Sequence, residues 1–363
     1  MMPVKRVVVR VPNWLGDIVM ALPALATVRR HYQDAHISVA LPEGFAALMS
    51  AVPGVDGVVW LNRGGGLSSV DRNTRAVRAG NFDVGILLTS SFASALILYQ
   101  ADVPERWGYD GEMRGRLLTR AVVPPAHPQR VQGRTGPTPP MHQSGYYLRL
   151  LQSLGMKSVK TVPVLEVPEE FTLRLEDLFK QLRWREDGPP MVGVAPGAAY
   201  GSAKRYPAAH VATLVRRLID SGVRPVFVGA KGDQRTADDV EEALRSGPTT
   251  PVEGEQYLNL VGKTDLATLM ALLGQMWAVV SNDSGAMHLA SALGRPVVAL
   301  FGPTDEQVTS PIGPHTILTH DVVCRPCMLR ECPIDHRCLR DLSPDDVFDA
   351  VESVRRCPEP APG

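Results

Sequence analysis

The stretch Ser281-Asn282-Asp283-Ser284-Gly285-Ala286-Met287-His288 brings hydroxyls, an amide, a carboxylate and an imidazole around one glycine. It lies between the apolar run 278–280 and the spacing Met287, Leu289, Ala290, Leu293, which ends at Gly294. That order predicts a strand, a tight polar turn and the start of a helix. Unpaired N–H groups at a helix start attract anions, and Gly285 lets a phosphate approach the backbone, so the stretch is a candidate nucleotide-sugar diphosphate site. The same residues suit a plain helix capped by Asp283 or Ser284 equally well. Two other clusters carry chemistry. Cys324, Cys327, Cys332 and Cys338, with His336 among them, have spacing that allows a structural metal such as zinc, although only the first pair has a familiar knuckle spacing. Disulfides and packed free thiols fit those cysteines too. Arg106, Arg114, Arg116 and Arg120 concentrate positive charge that would suit phosphates, or that forms a solvated basic face.

These residues must be positioned by short apolar strands alternating with helices. Val7-Val8-Val9-Arg10-Val11 reads as a strand, and Pro12 to Asp17 turns into a helix bearing Val19, Leu22, Leu25 and Val28 on one face. Similar units follow at 37–61 and 82–100, then restart at Met191–Ala195 after the breaker Asp187-Gly188-Pro189-Pro190. The grammar predicts an α/β fold of two doubly wound, Rossmann-like domains facing a cleft, with ligands beyond the carboxyl ends of the strands. The expected divisions are one domain over 1–187, a second over 188–345, and a C-terminal helix and tail over 346–363. Residues 124–143, rich in proline and glycine and carrying Arg130 and Arg134, read as a long loop.

Composition narrows the function. Of 363 residues, 38 are Lys or Arg and 38 are Asp or Glu, so the zero net charge gives no general push toward nucleic acid. No apolar run reaches the roughly 20 residues that span a bilayer. Lys5 and Arg6 before an apolar stretch resemble a signal peptide, but Asp17 and the Pro12-Asn13 break interrupt it. Four of the five cysteines crowd into 324–338, which points to a reducing compartment.

Four motifs, in this order, carry a family resemblance. They are Asn13-Trp14-Leu15-Gly16-Asp17; Pro196-Gly197-Ala198 with Lys204-Arg205-Tyr206-Pro207; Asn282-Asp283-Ser284-Gly285 with Met287-His288; and Phe301-Gly302-Pro303-Thr304. Together they resemble the ADP-heptose:lipopolysaccharide heptosyltransferases of glycosyltransferase family 9, most of all the type II members, over about residues 6 to 355. The resemblance implies a GT-B fold and an inverting transfer of L-glycero-D-manno-heptose from ADP-heptose to the first heptose of the lipopolysaccharide inner core, with no catalytic metal. It makes Asp17 the base and Lys204 the cation that stabilises the leaving diphosphate. A carboxylate near a helix start is a weakened base, and Asp17 as a helix-start group is the alternative. For the donor the resemblance implies Gly16, Ala198, Ser202, Lys204, Asp283, Ser284, Gly285 and His288, with Asp233 for the ribose hydroxyls. His288 also fits a packed histidine. Small residues stand where type I members carry hydroxyls in part of the Lys204 loop, which leaves open which other side chains touch phosphate. The arginines 106, 114, 116 and 120 would meet the lipid A inner-core acceptor. The implied protein is a cytoplasmic monomer, peripheral at the inner leaflet of the inner membrane. Related alternatives are a type I-like transferase and a non-catalytic sugar-nucleotide-binding protein.

Overall fold

The structure is a computed structural model describing residues 4–64, 66–125, 140–158, 162–184 and 188–356. The chain divides into two compact units, Met1–Glu166 and Val167–Gly363.

In the first unit, β1 (Arg6–Arg10), β2 (His36–Pro42), β3 (Gly57–Leu61), β4 (Val84–Leu87), β5 (Glu105–Tyr109) and β6 (Arg120–Val122) pair in parallel in the order β3-β2-β1-β4-β5-β6. Val7, Val8 and Val9 are wholly buried, as central strands of a sheet covered on both faces must be. The helix expected after β1 is broken at Ala21 into Leu15–Met20 and Leu22–His31. Pro23, at the start of the second segment, has no N–H to continue the first. Val19, Leu22, Leu25 and Val28 are nonetheless all buried.

The second unit repeats the plan. Strands β7 (Met191–Ala195), β8 (Arg224–Phe227), β9 (Leu258–Asn259), β10 (Ala278–Asn282), β11 (Val297–Phe301) and β12 (His315–Thr319) run in the order β12-β11-β10-β7-β8-β9. In each sheet the chain lays three strands outward, then returns to the other side of the first. The connections therefore diverge between β1 and β4, and between β7 and β10, leaving crevices beyond the carboxyl ends of those pairs. In the second core, Val192, Phe227, Val280 and Leu300 of the strands meet Val211, Leu214 and Leu218 of the helix Ala208–Asp220. Emptying Leu214 to Ala would cost about 2–5 kcal/mol.

The division between units falls some twenty residues before the expected one at 187. Phe171, Leu175 and Phe179 form one buried stripe on the helix Glu169–Leu182, which packs against the helix Leu266–Gln275 and so joins the second unit. The C-terminal helix Pro344–Arg356 is likewise part of that unit: Arg217 pairs with Asp345 and lies 4.4 Å from the centre of the Phe348 ring. Residues 126–139, with Arg130 and Arg134, lie outside the described residues. No helix among the described residues is long and apolar enough to cross a membrane.

Candidate active site

Strand β10 ends at Asn282 and the helix Gly285–Ala292 begins three residues later. Asn282 is buried and binds the loop after β7 from both sides. Its Nδ2 donates to the carbonyls of Pro196 (2.8 Å) and Gly197 (3.3 Å), and its Oδ1 accepts from the Tyr206 amide at 3.1 Å. Asp283 does not cap the helix. Its Oδ2 accepts from Lys204 Nζ at 2.5 Å and from Thr304 Oγ1 at 2.7 Å. Ser284, in the cap position, is extended (φ −148°, ψ 172°) and makes no side-chain cap; its hydroxyl lies 3.0 Å from Ser281 Oγ. The plain capped helix is therefore not what forms. Without a side-chain cap, the first-turn N–H groups are left for an anion, in the crevice at β7 and β10.

The loop from β7 supplies the cation. Lys204 closes the short turn Ser202–Lys204, and its Nζ lies 4.7 Å from the centre of the Tyr200 ring. Its side chain is 12% exposed and that of Asp283 is 6%, so the pair is largely desolvated, and losing one partner would strand a buried charge. Ala198 is buried in this loop and Ser202 is exposed. Asp233 follows β8 and adjoins the same crevice. Its Oδ2 accepts from the Ala230 amide at 3.0 Å, and a Cβ at Gly197 would lie 2.1 Å from its carboxyl carbon. Gly197 thus lets this loop and the β8 loop touch. His288 is 4% exposed and sits in the first turn of the helix Gly285–Ala292.

In the first unit, Asp17 is half-buried at the third position of the helix Leu15–Met20, one residue after Gly16. The preceding turn is held by Arg10, whose Nη2 donates to Asn13 Oδ1 at 2.5 Å, and by Arg63, whose Nη2 donates to the Asn13 carbonyl at 3.2 Å. Burial lowers the Arg10 pKa to about 10. Asp17 lies near Tyr147 of the helix Gln143–Ser153, whose phenol is kept protonated by burial first and by the Asp17 charge second.

The four expected acceptor arginines are not one patch. Arg106 and Arg120 sit at the amino-terminal ends of β5 and β6, the edge opposite Asp17, whereas Arg114 and Arg116 follow the carboxyl end of β5. Arg106 spends its guanidinium on the carbonyls of Leu117 and Val103, both at 2.6 Å. Arg120 lies 4.8 Å from the centre of the Trp107 ring. Arg114 is 1% exposed, and its Nη1 donates to the Thr89 carbonyl at 2.6 Å. Arg116 alone of the four stands exposed without such a use among the described residues. Strand direction and backbone acceptors, invisible in the local density of arginine, separate them.

Cys324, Cys327, Cys332 and Cys338 are free thiols, so disulfides among them do not form. They line one small cavity of about 20 Å³ together with Ala203, Pro303 and His336. Among the described residues no three or more His, Cys, Asp or Glu side chains are gathered to hold a metal ion. Burial first, then the other three thiols, pushes the Cys338 thiol up to about 11. Sequence reasoning also missed Tyr200 and the role of Thr304. Thr304 stands at the end of a motif after β11 and reaches Asp283 only through the fold.

Two doubly wound sheets in one chain, with an anion-ready helix start beside a buried lysine, are the architecture of a GT-B glycosyltransferase. The chain belongs to glycosyltransferase family 9, the heptosyltransferases, whose family model matches residues 70–337. It is 31% identical over 360 residues to the lipopolysaccharide heptosyltransferase 2 of Salmonella typhimurium, covering 94% of this chain and 96% of that one. It is 28% identical to the lipooligosaccharide heptosyltransferase 2 of Haemophilus ducreyi, covering 95% and 98%. Among solved structures, the ADP-heptose lipopolysaccharide heptosyltransferase II of E. coli matches with a TM-score of 0.78 at 27% identity, over 96% of this chain and 98% of that one.

Proposed function

We propose that the chain transfers L-glycero-D-manno-heptose from ADP-heptose to the first heptose of the lipopolysaccharide inner core, with inversion. The observation that carries this reading is the uncapped start of the helix Gly285–Ala292 beside Lys204 and Asp283, in a chain whose relatives are named lipopolysaccharide heptosyltransferases. A bond forms between the acceptor hydroxyl oxygen and the anomeric carbon as the bond to the diphosphate oxygen breaks. Asp17 takes the hydroxyl proton. Lys204 and the first-turn amides face the charge that grows on the departing ADP.

The protein acts in the cytoplasm as a monomer, on a lipid acceptor at the inner leaflet of the inner membrane. Trp14, Leu67 and Met113 support the last point: they stand 64%, 88% and 87% exposed just beyond the carboxyl ends of β1, β3 and β5, Leu67 as the first residue of the helix Leu67–Arg78. Incubation of the purified protein with ADP-heptose and a panel of truncated inner-core acceptors tests the whole reading. ADP release only with a heptose-terminated acceptor is expected. Release with bare Kdo2-lipid A would replace the acceptor assignment with the type I one, and no transfer to any acceptor would sink the donor assignment.

A further inference from the structure

A charge problem remains at the crevice. The diphosphate of a nucleotide sugar carries two negative charges, yet Lys204 is committed to Asp283 and that pair is neutral. The helix start contributes only about half an elementary charge. Arg325, on the nearby cysteine-bearing segment, is itself neutralised, since its Nη2 donates to Glu306 Oε2 at 2.6 Å. Arg330 on the same segment differs: it is exposed, and among the described residues no carboxylate pairs with it. Its guanidinium carbon lies 5.2 Å from the centre of the Tyr200 ring, the ring that also carries Lys204 at 4.7 Å.

The main chain holds Arg330 there. The Ala203 amide, next to Lys204, donates to the Arg330 carbonyl at 3.0 Å, and a Cβ at Gly201 would lie 2.2 Å from that oxygen. Two residues earlier, the Met328 carbonyl accepts from the Tyr200 hydroxyl at 2.7 Å, while the Met328 amide donates to Pro303 at 2.9 Å, beside Thr304. On the other side His336 Nε2 meets the Ala203 carbonyl at 2.5 Å. The cysteine-bearing segment is thus stitched to both loops that build the Lys204–Asp283–Thr304 cluster.

We propose that Arg330 is a second cation of the nucleoside-diphosphate site, delivered beside Lys204 by the cysteine-bearing segment. This rests on the donor-site reading above. Arg330→Ala removes the guanidinium and leaves every main-chain contact named here in place, so it isolates the charge from the scaffold. Calorimetric titration of wild type, Arg330→Ala and Arg330→Lys with ADP, AMP and adenosine is the test. ADP should bind the alanine variant about tenfold more weakly with a shallower dependence on salt, adenosine should bind it unchanged, and lysine should restore part of the loss. Equal ADP affinity for wild type and Arg330→Ala would overturn the inference while leaving the donor site intact. An equal loss for adenosine would overturn it in favour of a structural role. Wild-type protein that binds no ADP would overturn the donor-site reading and this one with it.

Discussion

Replacing Asn282 by aspartate changes one amide nitrogen to oxygen and leaves the volume of the side chain almost untouched. The carbonyl oxygens of Pro196 and Gly197, now 2.8 and 3.3 Å from a donor, would each face another acceptor, while the Tyr206 amide keeps its partner. A lost hydrogen bond costs about 1 kcal/mol and a buried carbonyl left without a partner about 1–3, so the charged variant should be destabilised by about 3 kcal/mol. Protonation returns a donor to the same place. The introduced carboxyl is therefore an acid whose folded pKa is raised, and about 3 kcal/mol corresponds to roughly 2 pKa units, from about 4 unfolded to about 6 folded. Between those values the folded state binds more protons than the unfolded one, so relative to wild type the variant gains stability as pH falls. The gap should be fully open above about pH 6 and should close toward pH 4. For a unit of this size that is a melting difference of about 6–12 °C at pH 8, readable by scanning calorimetry across the pH range. Because Asn282 fixes the loop that carries Lys204, ADP affinity should weaken and recover over the same window. No gap at pH 8, or a gap that does not change with pH, would refute the role given to Asn282.

Lys204→Met should weaken ADP binding by about thirtyfold or more, because the buried Asp283 carboxylate is left facing the diphosphate. Adding Asp283→Asn should recover part of that affinity by calorimetry, and a double variant no better than the single one would show that Asp283 does not oppose the anion. Asp17→Asn should lower turnover about 10²–10⁴-fold with ADP affinity unchanged, and near-normal release of ADP in a coupled assay would remove Asp17 as the base. Burial holds the His210 pKa below the ordinary 6.5, so the histidine folds neutral. Its contribution is present above pH 6.5 and is lost as pH falls below that value, and His210→Gln should flatten this part of the acid limb in denaturant titrations. At pH 8 iodoacetamide should label exposed Cys324 before Cys338, whose thiol is pushed up to about 11, as peptide mass mapping would show.

Much of the frame was legible because it is written locally. Val7 to Val9 and the run 278–280 are continuous apolar stretches, and only a strand covered on both faces needs such a run. The turn Asn282 to Gly285 and the end of its helix near Gly294, where φ is +76°, follow from the same local rules. The unit boundary was misplaced because Asp187-Gly188-Pro189-Pro190 is a strong local breaker. The allegiance of the helix before it is settled by what Phe171, Leu175 and Phe179 pack against, and that partner lies far along the chain.

The candidate site shows the same division between local and distant information. Lysine and aspartate stand out as residue types, but their pairing across 79 positions does not, nor does the binding of Asn282 to Pro196 across 86. That pairing alters the chemistry, since a lysine already neutralised by a carboxylate cannot alone balance a diphosphate. The segment 324–338 drew notice for its thiols, yet its contacts with the site run through the carbonyls of Met328 and Arg330 and the ring of His336. Main-chain carbonyls carry no residue signature, so a sequence cannot advertise them. Only the fold shows that a cysteine-rich loop holds the lysine loop in place and sets beside it an arginine that no carboxylate pairs among the described residues.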